Sequence, residues 1–597
     1  MLAMALASSN TKINVASALG AHRVRLWYGA LLIIVAVFGV RLFYVQIIRY
    51  NHYRNAALSH QLKQYEIPAN RGIIKARDSG ALVPIVLNQK LYTAYADPTY
   101  VKEPEVVANK VSAILGGSAS KLAALLQTKH TRYVVLGKHL SESQSKQLLA
   151  AKFRGVGTQG QDYRTYPQGD LAAQLLGFVD DNGTGRYGLE QALNQQLKGA
   201  PGQLRAITDG QGIPLAASPD NIEVPAKSGN DLVLTLDLAM QQQLQTILQK
   251  AVASSHASGA SAVVLDPATG AVKAMANFPS YDPAKYASVE DGKLFGNAAV
   301  TEPIEVGSVM KTLTTAAALD KGVIAPSTTY YDPSFWLVNG FRITNIEEDG
   351  GSGTRSIADI LNLSLNTGAT WELMQLGGGS INDKARAAWH DYMVNHYLFG
   401  KATGIEQGYE ATGYVPSNSD NGAGINLTYA NTTFGQAMTA TPIQMAGAIA
   451  AAVNGGTYYQ PHLVDQTISA DGTTVKTPSK ILASNVVSPK VSQALIPLMQ
   501  NVVQKHNFVP AFDQSQYIVG GKTGTAQIAK PGGGYYDDKF NGTYLGFVGG
   551  DKVQYVIAVF VNQPTNGGYA GTAAAQPIFG SIAHTLIDES LVTPKTK

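Results

Sequence analysis

The chain is 597 residues long, with 15% charged residues, 45% hydrophobic residues and a net charge of +4. That length exceeds a single core and points to about three or four folded units, and the composition is globular rather than disordered. The mildly basic balance, without a Lys/Arg block, gives nucleic-acid binding little support, and the absence of cysteine removes disulfides, thiolate catalysis and Cys-ligated metals.

In chain order, the first predicted element is the apolar run Leu26–Ile48, LWYGALLIIVAVFGVRLFYVQII. At about 1.5 Å per residue a helix over it crosses the ~30 Å hydrocarbon layer. It lacks the shorter apolar region and small-residue cleavage site of a signal peptide. Residues 26–48 therefore read as an uncleaved transmembrane anchor after a cytoplasmic tail, 1–25; the alternative is a long buried core helix. Basic residues flank the run on both sides (Lys12, Arg23 and Arg25 before it, Arg49, Arg54 and Lys63 after it), so the positive-inside rule alone does not orient it. Arg41, inside the run, is expected to snorkel to an interface or to meet a polytopic membrane partner.

Residues 49–216 form a mixed segment in which nothing has the arrangement of a catalytic site. Lys121–Leu126 and Glu142–Ala151 read as short helices, and Gly199–Leu215 as a strand pair with tight turns. The Ser/Pro/Gly/Asp-rich stretch 217–230 reads as a linker. From 231 to 597, DLVLTLD reads as a strand followed by an amphipathic helix, and SAVVLDPATGAVKAMANFPS as a β-hairpin around DPATG. Near the C-terminus YIVGGKTGTAQIAK and TYLGFVGGDKVQYVIAVFVNQP read as strands before a last helix. Strands at both ends with helices between them predict an α+β domain, one antiparallel sheet assembled from both ends and covered by helices.

The chemistry is expected where a loop becomes a helix, at Glu302–Lys311. Ser308 and Lys311 are one helical turn apart, which puts hydroxyl and amine on one face. A serine beside a buried amine at a helix start is an activated nucleophile in waiting. Alone the pattern is common: S-x-x-K also occurs at Ser9, Ser118 and Ser143, and S-x-N at Ser8, Ser228, Ser380 and Ser419 as well as at Ser364. K-T-G occurs once, at Lys522–Gly524. The informative signal is the ordered set Ser308-Val-Met-Lys311, Ser364-Leu-Asn366 and Lys522-Thr523-Gly524-Thr525. Asp282, Glu302 and Glu305 make no general-acid pair and are expected to be structural or solvated. The 11 histidines show no ligand spacing, so no metal and no cofactor is predicted.

The ordered set resembles that of penicillin-binding proteins and serine β-lactamases. The anchor, the RG-x-I stretch at Arg71, RTYPQGD, YGLEQAL, DLVLTLD and FGQAMTATPIQMAGAIAAAVNGG extend the resemblance over nearly the whole chain to class B penicillin-binding proteins. These are monofunctional transpeptidases of cell-wall synthesis. The resemblance implies a pedestal or dimerisation-like domain over 49–216 and a transpeptidase domain over 231–597. It makes Ser308 the nucleophile and Lys311 the expected base, a role disputed in this superfamily, with burial and neighbouring Lys522 lowering the amine's pKa. Ser364 would relay a proton to the leaving D-Ala, and Asn366 would bond the substrate amide and Lys311. Lys522, Thr523 and Thr525, with Gly524 between them, would hold the peptide's terminal carboxylate. The backbone N–H groups of Ser308 and Thr525 would form the oxyanion hole.

By the same resemblance the substrates are peptidoglycan stem peptides, with β-lactams as inhibitors. The partners are a polytopic glycosyltransferase and other division-complex membrane proteins. The location is the bacterial inner (cytoplasmic) membrane, single-pass, with the catalytic domain outside the cytoplasm. Length and the lack of a recognisable extra C-terminal module resemble the septal enzyme more than the elongation enzyme. The alternatives are a D,D-carboxypeptidase or β-lactamase, and a structural subunit with a vestigial site. Two residues depart from the family pattern: Val306 stands where proline is usual before Gly307, and Ala76 where aspartate is usual in RGIIKARDSG.

Overall fold

The computed structural model of the chain describes residues 15–53, 62–207, 222–345, 351–417, 419–420, 422–565 and 567–596. Two compact units emerge: residues 1–69 with 200–227, and residues 70–199 with 228–597.

In the first unit a helix runs over Val15–Phe43 and continues through a π-helical turn, Tyr44–Ile48. Its span Val24–Ile48 has a mean hydropathy of 2.4 and none of it is buried by protein, as a membrane anchor requires. The Arg41 guanidinium lies 5.6 Å from the centroid of the Tyr44 ring, so the charge inside the run leans on an aromatic face toward the helix end. Three strands complete the unit in the order Leu62–Ile67, Gly202–Ile207, Ile222–Val224, all antiparallel. The strand pair expected within Gly199–Leu215 is corrected here. Gly202–Ile207 is a strand, but its partners lie far upstream and just downstream, and residues 208–215 lie outside the described residues. Alternation in a sequence marks a strand without naming its partner.

Among the described residues the second unit holds two large sheets and four two-stranded ones. One, of seven strands, runs Thr474–Lys476, Val464–Ile468, Asp231–Asp237, Ile74–Asp78, Ala81–Ala96, Val134–Leu140, with Val156–Thr165 also pairing with Ala81–Ala96. Its one parallel junction joins Ile74–Asp78 to Asp231–Asp237. Ala76 sits on that strand, fully buried, where a carboxylate would have no water. The expected helices appear at Ala119–Leu126 and Glu142–Ala150, with a third at Pro104–Leu115.

The other sheet positions the site. Asp237 caps α1 (Leu238–Ser255) by accepting from the Met240 N–H at 3.0 Å. The hairpin β1 (Gly259–Leu265) and β2 (Val272–Phe278) follows, then helices α2 (Met310–Asp320), α3 (Asn366–Leu376), α4 (Pro442–Val453) and α5 (Pro489–Lys505). The chain closes with β3 (Ile518–Ala529), β4 (Tyr535–Gly549), β5 (Val553–Asn562) and α6 (Gln576–Asp588). The sheet order is β2-β1-β5-β4-β3, antiparallel throughout and assembled from both ends of the sequence.

Both faces of this sheet are covered, which is why its strands read as continuous apolar runs. On one face Ala262, Val264, Ile557 and Val559 meet Met240, Leu244 and Leu248 of α1 and Phe579, Ile582 and Leu586 of α6. On the other face Val263, Leu265, Ala558 and Phe560 meet Met310, Leu313 and Ala317 of α2 and Ala446 and Ile449 of α4. Helix α4 is buried along its whole length and starts with a Thr441–Gln444 capping box. Helix α2 is thus a core helix, buried from Met310 to Leu319, with the part-exposed Ser308 just ahead of it. Truncating Leu313 to alanine costs about 2–5 kcal/mol by the usual cavity arithmetic.

Candidate active site

A single turn of 3-10 helix, Gly307–Val309, precedes α2 and carries Ser308. Gly307 has φ +66, and a Cβ on it would lie 2.7 Å from the Thr525 carbonyl oxygen and 3.1 Å from the Thr525 nitrogen. Only glycine allows that approach. The approach seats the Ser308 turn directly against the Thr525 backbone. Gly435 is equally confined, and the Gly307 N–H donates to its carbonyl at 3.0 Å. Val306, the atypical residue, takes φ −85 and ψ −15, a φ close to proline's range, and its carbonyl accepts the Thr543 hydroxyl at 2.7 Å. The turn keeps its shape without the proline ring because β4 holds it.

Lys311 is fully buried. Its Nζ donates to Ser308 Oγ at 2.8 Å, Asn366 Oδ1 at 2.8 Å and Ser364 Oγ at 3.1 Å, and also to the Ser364 carbonyl. Ser364 occupies the bend between helix Ile357–Asn362 and α3, with φ +58, a backbone region that non-glycine residues rarely take. That bend aims both its hydroxyl and its carbonyl at one amine. Asn366 is the first residue of α3, and its Nδ2 donates to the Thr344 carbonyl at 3.0 Å, which fixes its amide with the oxygen toward Lys311. Behind it the buried Asp332 accepts from Thr367 Oγ1 at 2.6 Å and Asn345 Nδ2 at 3.1 Å, while Asn345 Oδ1 takes the Thr367 N–H at 3.0 Å. The Ser364–Asn366 turn is therefore anchored at both ends.

Lys522 is also fully buried, on β3, and donates to the Thr523 carbonyl at 3.0 Å. The Thr525 hydroxyl oxygen accepts the Gly571 N–H at 2.9 Å, leaving its own proton to point elsewhere. Gly524 has no room for a side chain, since a Cβ would meet Thr543 Oγ1 at 2.2 Å and the Val306 carbonyl oxygen at 2.8 Å. The structure thus brings Ser308, Ser364, Asn366, Lys522, Thr523, Gly524 and Thr525 to the wall of one cleft of about 400 Å³, with Lys311 in its floor.

Sequence reasoning did not single out several other lining residues: Phe434, Gln436, His506, Tyr569 and Thr572. Phe434 and Gln436 lie within FGQAMTA, so their stretch was visible though their place was not. His506 follows α5, and burial, with the Lys522 charge nearby, pushes its pKa down to about 4, so it is neutral at physiological pH. Glu305 is structural, as expected: it accepts the Ala437 N–H and the Tyr535 hydroxyl, both at 2.9 Å, and burial raises its pKa. Asp282 caps a short helix by accepting from the Ala284 N–H at 3.0 Å, and Glu302 is exposed. Of the other S-x-x-K serines, Ser118 caps Ala119–Leu126, Ser143 lies within a surface helix, and Ser9 lies outside the described residues.

Comparison with known proteins agrees over the same ground. Residues 260–584 match the penicillin-binding protein transpeptidase domain, and residues 66–234 the penicillin-binding protein dimerisation domain. Stage V sporulation protein D of Bacillus subtilis is 30% identical over 567 residues, 94% of this chain and 85% of the relative. Penicillin-binding protein PbpB of Mycobacterium tuberculosis is 30% identical over 588 residues, 94% of this chain and 84% of the relative. Penicillin-binding protein 3 of the same organism, solved with ampicillin, superposes with a TM-score of 0.66 at 26% identity, covering 89% of this chain and 98% of that one. Penicillin-binding protein 2X of Streptococcus thermophilus superposes with a TM-score of 0.68 at 24% identity, over 89% and 80%. With two serines and two buried lysines at one cleft, on a fold shared along almost its whole length, this chain belongs to the class B penicillin-binding proteins.

Proposed function

We propose that this protein is a serine-type peptidoglycan D,D-transpeptidase that cross-links stem peptides through a Ser308 acyl-enzyme. The observation that carries the reading is the Lys311 amine, 2.8 Å from Ser308 Oγ and within hydrogen-bond reach of Ser364 and Asn366. Relatives named peptidoglycan D,D-transpeptidase, in Pseudomonas aeruginosa and Buchnera aphidicola, support it at 26% and 25% identity.

The arrangement of Lys311, Ser364 and Asn366 around Ser308 supports the following steps. Lys311, as the neutral amine, takes the Ser308 proton while Oγ attacks the carbonyl carbon of the penultimate D-Ala. The oxygen that gains charge sits between the Ser308 and Thr525 N–H groups. Collapse breaks the C–N bond, and the proton passes from Lys311 through Ser364 Oγ to the leaving D-Ala nitrogen. Asn366 holds the donor amide, and Lys522, Thr523 and Thr525 hold the terminal carboxylate that departs with D-Ala. The amine of a second stem peptide then attacks the ester, returns a proton by the same route, and frees Ser308. A β-lactam would enter as the strained counterpart of the same amide.

Residues 49–216 serve as a pedestal and 217–230 as a linker to the catalytic domain at 231–597. The apolar helix anchors the chain in the bacterial cytoplasmic membrane with the catalytic domain outside. The role is septal, alongside a polytopic glycosyltransferase. Depletion followed by microscopy tests that role: filaments support it, and round cells assign the protein to elongation. A fluorescent penicillin tests the chemistry. It labels the wild type covalently and Ser308→Ala not at all, and the adduct persists for many minutes. Labelling that survives the substitution places the nucleophile elsewhere, and rapid turnover makes the protein a β-lactamase.

A further inference from the structure

Glu372 lies in the middle of α3, the helix that begins with Asn366, and it is fully buried. Helix α3 packs on α2, where Lys311 and Thr315 stand one turn apart on one face. Neither Glu372 oxygen accepts a hydrogen bond of good geometry, and the Thr315 hydroxyl is likewise without one. Thr315 still lies close enough to draw the carboxyl's pKa down, as does the Lys311 charge, but burial outweighs both and pushes it up to about 8. The other titratable groups facing it are Tyr330, from the strand Thr329–Asp332, and Tyr397, after the π-helical turn Tyr392–His396. Burial raises both phenols far enough to keep them neutral, so the charge that Glu372 faces is that of Lys311.

A glutamate is a poor choice for filling this space. A leucine or methionine would pack as well, and every buried polar group left without a good partner is destabilising. The reaction steps above make no use of it. Its location, behind the catalytic amine on the helix that also supplies Asn366, gives it one: its ionisation state sets how strongly the ammonium form of Lys311 is favoured.

We propose that Glu372 is a positioning residue for acyl transfer, a carboxyl kept neutral behind Lys311 so that the amine is free to accept the Ser308 proton. This rests on the reading of Lys311 as the base. The sign is fixed by charge. Below the carboxyl's titration Glu372 carries no charge and leaves Lys311 alone. Above it, the carboxylate attracts the ammonium and retains the proton that Lys311 must lose to act as a base. Glu372 is therefore an alkaline brake on acylation.

The test is the second-order rate of acylation by a fluorescent penicillin, measured from pH 6 to pH 10 on the full-length protein in detergent. Glu372→Gln has the shape of the neutral acid and cannot ionise. Its rate divided by the wild-type rate is expected near one at pH 6–7 and to rise about three- to tenfold by pH 9–10, the effect of roughly half to one pK unit of coupling. Glu372→Asp retains the titration and shows a smaller rise. Glu372→Met, apolar and similar in length, shows the same rise as glutamine and keeps the test available if one variant folds poorly. A ratio that is flat with pH, even if uniformly low, means a packing role and overturns the proposal. A wild type that takes no label at all overturns the transpeptidase reading and this inference with it, whereas a flat ratio above a labelled wild type overturns this inference alone.

Discussion

Two buried clusters of charge in the same unit are built on opposite plans. In one, Glu190 is fully buried between two arginines whose side chains are 9% and 4% exposed. Arg71 Nε donates to Glu190 Oε2 at 2.8 Å, Arg164 Nε to Oε1 at 2.8 Å, and the Nη1 groups of the two arginines reach Asn194 at 2.9 Å and Asn88 at 2.7 Å. In the other, the Lys311 amine has four neutral oxygens of Ser308, Ser364 and Asn366 within hydrogen-bond reach, shared among at most three N–H groups. The first cluster satisfies charge with charge and holds strands and loops in register. The second surrounds a buried amine with neutral hydrogen-bond acceptors. A buried cation locked to a carboxylate is structural, and one ringed by dipoles can give up its proton.

Lys311→Met attacks the comparison where the effect is largest. Acylation by a fluorescent penicillin falls by about 10²–10⁴-fold, while the thermal midpoint stays level or rises, because a buried amine has been replaced by packing. A midpoint that collapses instead would put Lys311 in the structural class. Glu190→Ala does the reverse: it strands two guanidinium groups and costs about 3–5 kcal/mol in denaturant unfolding, with the acylation rate of the folded fraction unchanged. Gly307→Ala sharpens the site's side of the contrast. Its Cβ collides with the Thr525 backbone at 2.7 Å, and shifting the Ser308 turn lowers acylation by about 10²-fold, while the clash and the positive φ together cost about 1–3 kcal/mol of stability. The smallest effect belongs to His506, which burial holds near a pKa of 4 against 6.5 for the free side chain. Between those values the unfolded chain binds a proton that the folded one refuses, so stability falls as pH drops through the window. His506→Gln flattens that fall, read as the urea midpoint at pH 7 and pH 4.5.

How legible each cluster was in the sequence follows from its kind of spacing. Ser308 and Lys311 are one turn apart, and Ser364–Asn366 and Lys522–Thr525 are short fixed strings, so local order betrayed them. The sheet assembled from both ends was legible too, because β1 and β2 flank a recognisable turn and β3–β5 are long apolar runs. What local spacing cannot carry is a contact between distant single residues. Nothing in the chain announces that Asp332 steadies Thr367, that Tyr535 reaches Glu305, or that Glu372 lies behind Lys311. Gly202–Ile207 is an instance of the same limit, since its pattern gave a strand and its partner, Leu62–Ile67, came from far upstream. The positive φ of Ser364 was hidden as well, for a serine advertises no preference for that conformation.

The register of the catalytic sheet also governs when the protein becomes active during its synthesis. Strand β1 is hydrogen-bonded to β5, with Val263 opposite Ala558, so its nearest partner on that edge is made only after almost three hundred further residues. Closing so long a loop is entropically slow and cannot begin early. The β3 strand that lines the cleft is joined to β1 only through β4 and β5. A chain interrupted before Asn562 therefore possesses Ser308, Lys311, Ser364 and Asn366 yet has no completed cleft. Nascent chains still on the ribosome should take no penicillin, and the cleft around Ser308 is assembled only once the whole domain has been synthesised.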